Sequence, residues 1–104
     1  MLAVDPALTY ELSGQIRTSG LDRDAAWIAV EWCDREGSLV ATDRSEPVGG
    51  SADWSRVELR FESVPAGARF ARLVCAVEGP DLTGEAWFDD LIWSEKVGLQ
   101  VLAP

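Results

Sequence analysis

Five tryptophans among 104 residues are the side chains of this sequence with the most evident binding chemistry. An indole presents a flat, weakly polar face, on which the apolar face of a sugar ring can stack while polar neighbours meet its hydroxyl groups. The same ring can instead fill the core of a small protein. The side of the strand on which each tryptophan falls therefore decides between the two roles.

Two of the tryptophans are predicted to lie in the core. Trp32 shares the phase of the apolar residues of its segment, and Trp93 shares the phase of Leu91. Trp27 falls on the opposite side of its segment, beside a polar turn. Two interpretations stay open for it: an exposed platform for a ligand, or packing against a second sheet.

Polar residues on the outward side could complete a sugar site. Such a site needs short hydrogen-bonding side chains and charged groups that can form two hydrogen bonds at once to neighbouring hydroxyl groups. The candidates are Gln15, Arg17, Glu31 and Arg72. An ordinary solvated strand face is the alternative. Tyr10 falls on the inward side and is predicted to lie in the core.

The residue types argue against catalysis. The chain has no histidine, which excludes His-dependent triads, His-ligated zinc and the usual general base near neutral pH. With 18 acidic residues, pairs of carboxylates are expected by chance. A domain this small offers no deep cleft that would separate the pKa values of two acids. We therefore expect a binding or accessory domain rather than an enzyme.

The charge balance limits the partners that we expect. Acidic residues outnumber basic ones 18 to 9, and the net charge is −9. Such a surface repels phosphate backbones and anionic membranes, and no apolar run approaches the roughly 20 residues of a membrane helix. Neither nucleic acid nor a membrane is an expected partner. The segment 1–6 shows no features of a signal peptide.

Alternation of apolar and polar residues with a period of two predicts a single all-β domain. The predicted strands are 8–17, 26–33, 38–42, 54–62, 69–77 and 85–93. The predicted turns and loops are 19–24, 34–37, 43–53, 65–67 and 78–84. Cys33 and Cys75 fall within strands, which favours two buried free thiols over a disulfide, although the sequence does not decide between them.

Five short motifs in this order resemble the jelly-roll carbohydrate-binding modules that are appended to bacterial cellulases, xylanases and polysaccharide lyases, within the galactose-binding-like superfamily. The motifs are Tyr10-Glu-Leu-Ser-Gly-Gln-Ile-Arg17, Ile28-Ala-Val-Glu-Trp-Cys-Asp-Arg-Glu-Gly37, Asp53-Trp-Ser-Arg-Val57, Pro65-Ala-Gly-Ala68 and Ala86-Trp-Phe-Asp-Asp-Leu91. The resemblance implies an antiparallel β-sandwich of jelly-roll type over residues 7–95. Residues 1–6 would be an N-terminal extension, and 96–104 a tail, an extra strand or a linker.

The resemblance also assigns inward and outward positions. It implies that Trp54 packs in the core and that Asp89 and Trp87 turn inward, which leaves Phe88 outward as a second stacking candidate. In the family, an Asp of the Asp89–Asp90 pair often helps to bind a structural calcium. The opening strands that help to complete that site are absent here. Calcium binding, and backbone hydrogen bonding by Asp89 inside the sandwich, therefore both stay open.

The absent opening strands would truncate the fold at its N-terminus and uncover a strand edge, which invites pairing. We hypothesise that residues 97–102, or a neighbouring protomer in a homo-oligomer, supply the missing strand. An alternative function follows from the same features: a structural β-sandwich interaction domain that packs on a neighbouring domain or protomer and binds no sugar.

The function implied by the resemblance is a non-catalytic carbohydrate-binding module. It would hold a polysaccharide or oligosaccharide by stacking on Trp27 or Phe88 and by hydrogen bonds from the four polar candidates. As part of a larger secreted or cell-surface protein, it would target a neighbouring catalytic domain to its substrate. One fold hosts many functions, so this remains an expectation.

Overall fold

The computed structural model of the protein describes residues 1–79 and 83–97, apart from the side chains of 22–24 and 97. This part is all-β, as predicted, and every strand pairing is antiparallel. The strands are β1 (Leu2–Ala3), β2 (Leu8–Cys33), β3 (Leu39–Arg44), β4 (Val48–Phe61), β5 (Phe70–Val77) and β6 (Glu85–Val97). Among the residues described, no helix is long and apolar enough to span a membrane.

The 26-residue strand β2 is the axis of the sheet. Its two edges carry one pair of strands each, β3 and β4 on one side and β5 and β6 on the other. The two sides meet at Ala26, which pairs with Val48 of β4 and with Val77 of β5. The short strand β1 lies on the outer edge of β5. The sheet is therefore three strands wide along β2, and β1 adds a fourth strand at the end formed by β3 and β5.

The sheet curls so that the two halves of β2 face one another. In a straight strand Tyr10 and Trp32 would lie roughly 70 Å apart, but their ring centroids are 6.4 Å apart. The connection 62–69 depends on this curl, because it joins the end of β4, beside Tyr10, to the start of β5, beside Cys33. Register shifts between β2 and β4 over 18–26 accompany the bend.

One apolar core lies between the two halves. Its largest fully buried side chains are Trp32, Leu12, Ile16, Ile28, Val30 and Cys33. Tyr10 stacks on Trp93 at a centroid distance of 5.0 Å, and Trp32 meets Phe61 edge-on at 5.0 Å. Burial of a large apolar side chain stabilises a fold by about 1.5–3 kcal/mol, so this aromatic cluster stabilises the curled form of the sheet. The predicted core positions of Tyr10 and Trp32 are confirmed, and Trp93 is half-buried against this core.

Two predicted loops are wrong. The segment 19–24 continues β2, and most of 43–53 belongs to β3 and β4, with only 45–47 between them. These segments are rich in polar residues, as loops are, but a strand with one side facing solvent contains them as well. The predicted turns at 34–37 and 65–67 are confirmed, and the backbone amide of Asp34 donates to the carbonyl of Ser38.

The structure describes the N-terminal segment 1–6 but, of the tail 96–104, only residues 96 and 97. Leu2 pairs with Ala71 and Ala3 with Phe70, so the N-terminal extension adds a short strand to the sheet. The hypothesis that 97–102 supply a missing strand lies outside the described residues, except for the end of β6 at 97.

The two cysteines are free, but only one is buried. Cys33 is buried beside β5, whereas Cys75 is exposed. The prediction of two buried thiols is therefore wrong for Cys75. Partial burial nevertheless raises the pKa of its thiol, because desolvation disfavours the thiolate.

Candidate binding face

Gln15 and Arg17 lie on the outer face of the part of the sheet formed by β4, β2 and β6. Their neighbours Ile16 and Thr18 are buried, whereas Arg17 is exposed and Gln15 is half-buried. This alternation follows from the two-residue period of a strand with one face on the core. We call this surface the outer face, and it carries the side chains with binding chemistry.

A bulge in β6 lies opposite Gly14. The residues of β2 on either side of Gly14 pair with Ile92 and Asp89, so Gly14 faces both Asp90 and Leu91. Asp90 has a φ of 53°, in the left-handed region, where aspartate is one of the few tolerated non-glycine residues. A Cβ atom on Gly14 would lie 2.9 Å from the Cδ2 atom of Leu91. Glycine at this position therefore leaves room for the bulge.

The bulge reverses which side chains of β6 point outward. Beyond it, Phe88 pairs with the buried Ile16 and packs against the core, while Trp87 pairs with Arg17 and is 39% exposed. The expectation that Trp87 turns inward and Phe88 outward is wrong for both residues. The physical reason is the extra residue, which shifts the alternation by one position.

A second irregularity lies in β4, on the other side of Arg17. The neighbours of Arg17 along β2 pair with Ser55 and Ala52, so Arg17 faces two residues of β4, Asp53 and Trp54. Both are exposed, and Trp54 retains 43% of its accessible surface. The prediction that Trp54 packs in the core is wrong, because Trp54 shares the outward phase of Arg56 and Glu58 along β4.

Arg17 therefore lies between two exposed tryptophans, one on each neighbouring strand. We call Trp54, Arg17 and Trp87 the Trp–Arg–Trp row. Neighbouring strands are about 4.8 Å apart, so the strand positions that carry the two indoles lie roughly 10 Å apart. The guanidinium carbon of Arg17 lies 5.1 Å from the ring centroid of Trp87, a cation–π distance. The row presents two partly exposed indoles with a hydrogen-bond donor between them.

A polar row lies beside the Trp–Arg–Trp row. Gln15 pairs with Arg56 on β4 and with Asp89 on β6. The three side chains offer amide, guanidinium and carboxylate groups two residues along each strand from the tryptophans. Such groups suit the hydroxyls of a sugar whose ring stacks on an indole.

The carboxylates nearest to the row accept hydrogen bonds from the backbone. Asp53 accepts one from the amide of Trp54 at 2.8 Å, and Asp89 accepts one from the amide of Asp90 at 2.8 Å. Backbone hydrogen bonding by Asp89 was one of the two roles that the sequence left open. Asp89 is exposed, however, so the expectation that it points into the interior is wrong; the bulge at Asp90 turns it outward.

The calcium site expected at Asp89 and Asp90 gains no support from this arrangement. Both residues are exposed. Among the described residues, no three carboxylate, thiol or imidazole side chains form a cluster that could hold a metal ion. Calcium binding here stays a prediction.

Three of the predicted site residues lie elsewhere, on the half of the sheet formed by β3, β5 and the end of β2. Trp27 is only 8% exposed, because the guanidinium of Arg44 on the neighbouring strand lies 4.5 Å from its ring centroid. The expectation of an exposed Trp27 platform is therefore wrong. Glu31 and Arg72 pair with each other at 2.7 Å. None of the three joins the Trp–Arg–Trp row.

An open cavity of about 570 Å³ lies at the end of β4, β2 and β6 that is beside Tyr10. Ligand clefts commonly measure about 300–1,000 Å³. The cavity is lined by Thr9, Tyr10, Glu11, Arg60, Phe61, Glu62, Ser94 and Lys96. Most of these side chains are polar, so the cavity extends the polar part of the outer face.

The core position of Trp54 came from the family resemblance, although alternation with Arg56 and Glu58 along β4 indicates an outward position. Trp87 was missed because the bulge in β6 adds a residue without interrupting the strand. The local signal of this bulge is the acidic pair at 89–90, since aspartate tolerates a left-handed backbone better than most residues do.

Comparisons of the chain with models of protein families, with curated proteins and with solved structures found no match.

Proposed function

We propose that this chain is a non-catalytic carbohydrate-binding module. The observation that carries the proposal is the Trp–Arg–Trp row, in which two exposed indoles flank a guanidinium on one open sheet face. Sugar rings would stack on Trp54 and Trp87, while Arg17 and the polar row bind their hydroxyl groups. This assignment replaces Trp27 and Phe88 as the stacking residues and retains Gln15 and Arg17.

The geometry of the row favours a chain of sugars over a single one. The strand positions that carry the two indoles lie roughly 10 Å apart, so each indole would stack on a different ring. An open face contacts the ligand on one side only, so the affinity should be modest. We expect dissociation constants between about 1 μM and 1 mM.

We further propose that the curled sheet is a β-sandwich of the jelly-roll type. Its layers would be β4–β2–β6 and β3–β2–β5–β1, and the contact between Tyr10 and Trp32 across the interior supports this arrangement. The module would belong to a larger secreted or cell-surface protein and concentrate a neighbouring catalytic domain on its polysaccharide. Neither nucleic acid nor a membrane is a proposed partner, because the chain carries a net charge of −9.

Calorimetric titration with a panel of soluble polysaccharides tests the proposal. We expect at least one glycan to bind, and we expect Trp54→Ala and Trp87→Ala each to weaken that binding tenfold or more. Leu39→Ala is the matched control, because Leu39 is 58% exposed but lies on β3, in the other half of the sheet. Absence of binding to every glycan, or equal losses in the control, would refute the proposal.

A structural interaction domain is the second candidate, and exposed apolar residues of β6 favour it. Ile92 is 53% exposed and Leu91 is 42% exposed, close to the Trp–Arg–Trp row. A neighbouring domain or a second protomer could cover these side chains together with the tryptophans. The glycan panel separates the two candidates, since an interaction domain predicts no response to any sugar.

A further inference from the structure

Arg17 differs from the other two arginines of the outer face in its ion pairs. Arg56 and Arg60 each pair with Glu11 and Glu58, at 3.1–3.9 Å. Arg17, by contrast, has no carboxylate partner among the described residues. The outer face therefore holds a network of four paired charges and, beside it, a guanidinium that forms no ion pair with a described carboxylate.

The carboxylates beside Arg17 are engaged by the backbone. Asp53, which faces Arg17 on β4, and Asp89, on β6, each accept a hydrogen bond from the amide of the next residue. The guanidinium carbon lies over the ring of Trp87, 5.1 Å from its centroid. Among the described residues, the arginine side chains that donate hydrogen bonds are those of Arg56, Arg69 and Arg72, so the N–H donors of Arg17 stay available to a ligand.

We propose that the glycan bound by this face carries a carboxylate that Arg17 binds. The ligand class is a mainly neutral polysaccharide with occasional uronic acid residues; the inference rests on the function proposed above. The guanidinium fork matches a carboxylate with two parallel hydrogen bonds. Trp54 and Trp87 would stack on neutral rings on either side of the acidic sugar.

The charge of the whole protein limits how many carboxylates the ligand carries. The net charge of −9 repels a polyanion, and charges beyond a Debye length of about 8 Å are largely screened at physiological salt. One local cation suits one local carboxylate. A sparsely carboxylated chain therefore fits, whereas a polyuronate does not.

Matched glycans test this inference. Each acidic polysaccharide, such as glucuronoxylan, is titrated beside the same material after chemical reduction of its carboxylic acids to alcohols, with polygalacturonate as the polyanion. We expect a sparsely acidic glycan to bind about fivefold more tightly than its reduced form at low salt, as for a well-oriented exposed ion pair. The difference should shrink as salt is added.

Variants assign the preference to Arg17. Arg17→Gln should bind the acidic and the reduced glycan equally, and Arg17→Lys should keep part of the preference. Arg35→Gln is the control, because Arg35 is an exposed cation in the turn at 34–37 and its loss changes the net charge by the same amount. The control should keep the full preference.

The outcomes separate the two proposals. Equal binding of each acidic glycan and its reduced form overturns the role of Arg17 and leaves the carbohydrate-binding function standing. Tightest binding to polygalacturonate overturns the sparsely acidic ligand class. No binding to any glycan overturns both the inference and the function on which it rests.

Discussion

The guanidinium carbon of Arg17 lies 5.1 Å from the ring centroid of Trp87, its direct partner on β6. The pairing exists because the bulge at Asp90 moves Trp87 to the outer face. If Asp90 instead paired regularly with Gln15, the register set by Ser13 and Ile92 would place Phe88 opposite Arg17. The candidate site is therefore built by an irregularity of β6 as much as by its sequence of side chains.

Deletion of Asp90 should leave glycan affinity within about twofold. Asp90 and Leu91 share the place opposite Gly14, so removing Asp90 takes out the bulge but keeps Trp87 opposite Arg17 and Phe88 opposite Ile16. Asp90→Gly should retain the bulge, since glycine adopts positive φ freely, and should keep the affinity within twofold and the free energy of unfolding within about 1 kcal/mol. Titration of both variants, with urea denaturation to verify folding, makes the comparison. Loss of binding by the folded deletion variant would contradict the pairing of Trp87 with Arg17 across the bulge.

Gly84→Ala should destabilise the protein far more than Gly50→Ala. Both glycines have positive φ, 91° for Gly84 and 67° for Gly50, so each alanine carries a left-handed strain of about 1–2 kcal/mol. At Gly84 the new Cβ would also collide with the backbone of Ser19 and Gly20, whereas nothing lies within 4 Å at Gly50. Urea denaturation of both variants measures the difference. Equal losses of stability would show that Gly84 does not approach β2 this closely.

Trp32→Ala should cost about 3–5 kcal/mol of unfolding free energy, because it empties the centre of the core. Trp32 is fully buried, contacts Tyr10 and Phe61, and donates from its indole nitrogen to Asp43 at 3.0 Å. Trp54→Ala is the matched control, since Trp54 is 43% exposed, and it should cost less than about 1 kcal/mol. Thermal or urea denaturation compares the two. A larger loss from Trp54→Ala would place that ring in the core.

The thiol of Cys75 should react slowly with iodoacetamide at pH 8. Partial burial raises its pKa above the ordinary value of 9.0, so the folded protein holds less of the reactive thiolate. The corresponding stability is present below the unfolded-state pKa and falls as pH rises through the folded-state value. Mass spectrometry after timed alkylation measures the rate, with the urea-unfolded chain as the reference. Faster reaction in the folded protein would contradict a raised pKa.

The sequence predicts the all-β class and most of the core because both follow from local alternation. Trp32 and Tyr10 lie in phase with apolar neighbours, and both are buried. The turn at 34–37 was also predictable, since Asp34 accepts hydrogen bonds from the amides of Glu36 and Ser38 and Gly37 takes positive φ. These features depend on a few adjacent residues.

The candidate site was predicted only in part, because it depends on register between strands. Gln15 and Arg17 lie on a regular stretch of β2, and their outward position follows from alternation. Trp54 lies in phase with Arg56 on β4, so alternation indicates its outward position and the family resemblance misassigned it. Trp87 lies beyond the bulge in β6, where alternation no longer tracks the face. The cover that Arg44 provides for Trp27 is likewise a contact between strands that pattern alone does not reveal.

The most direct test of the account is a glycan titration followed by the indole N–H signals of the five tryptophans in a ¹⁵N-correlated NMR spectrum. The account predicts that ligand shifts the signals of Trp54 and Trp87, which are exposed on the outer face, and leaves those of Trp27 and Trp32 in place. Shifts confined to Trp27, or no shift with any glycan, would contradict it.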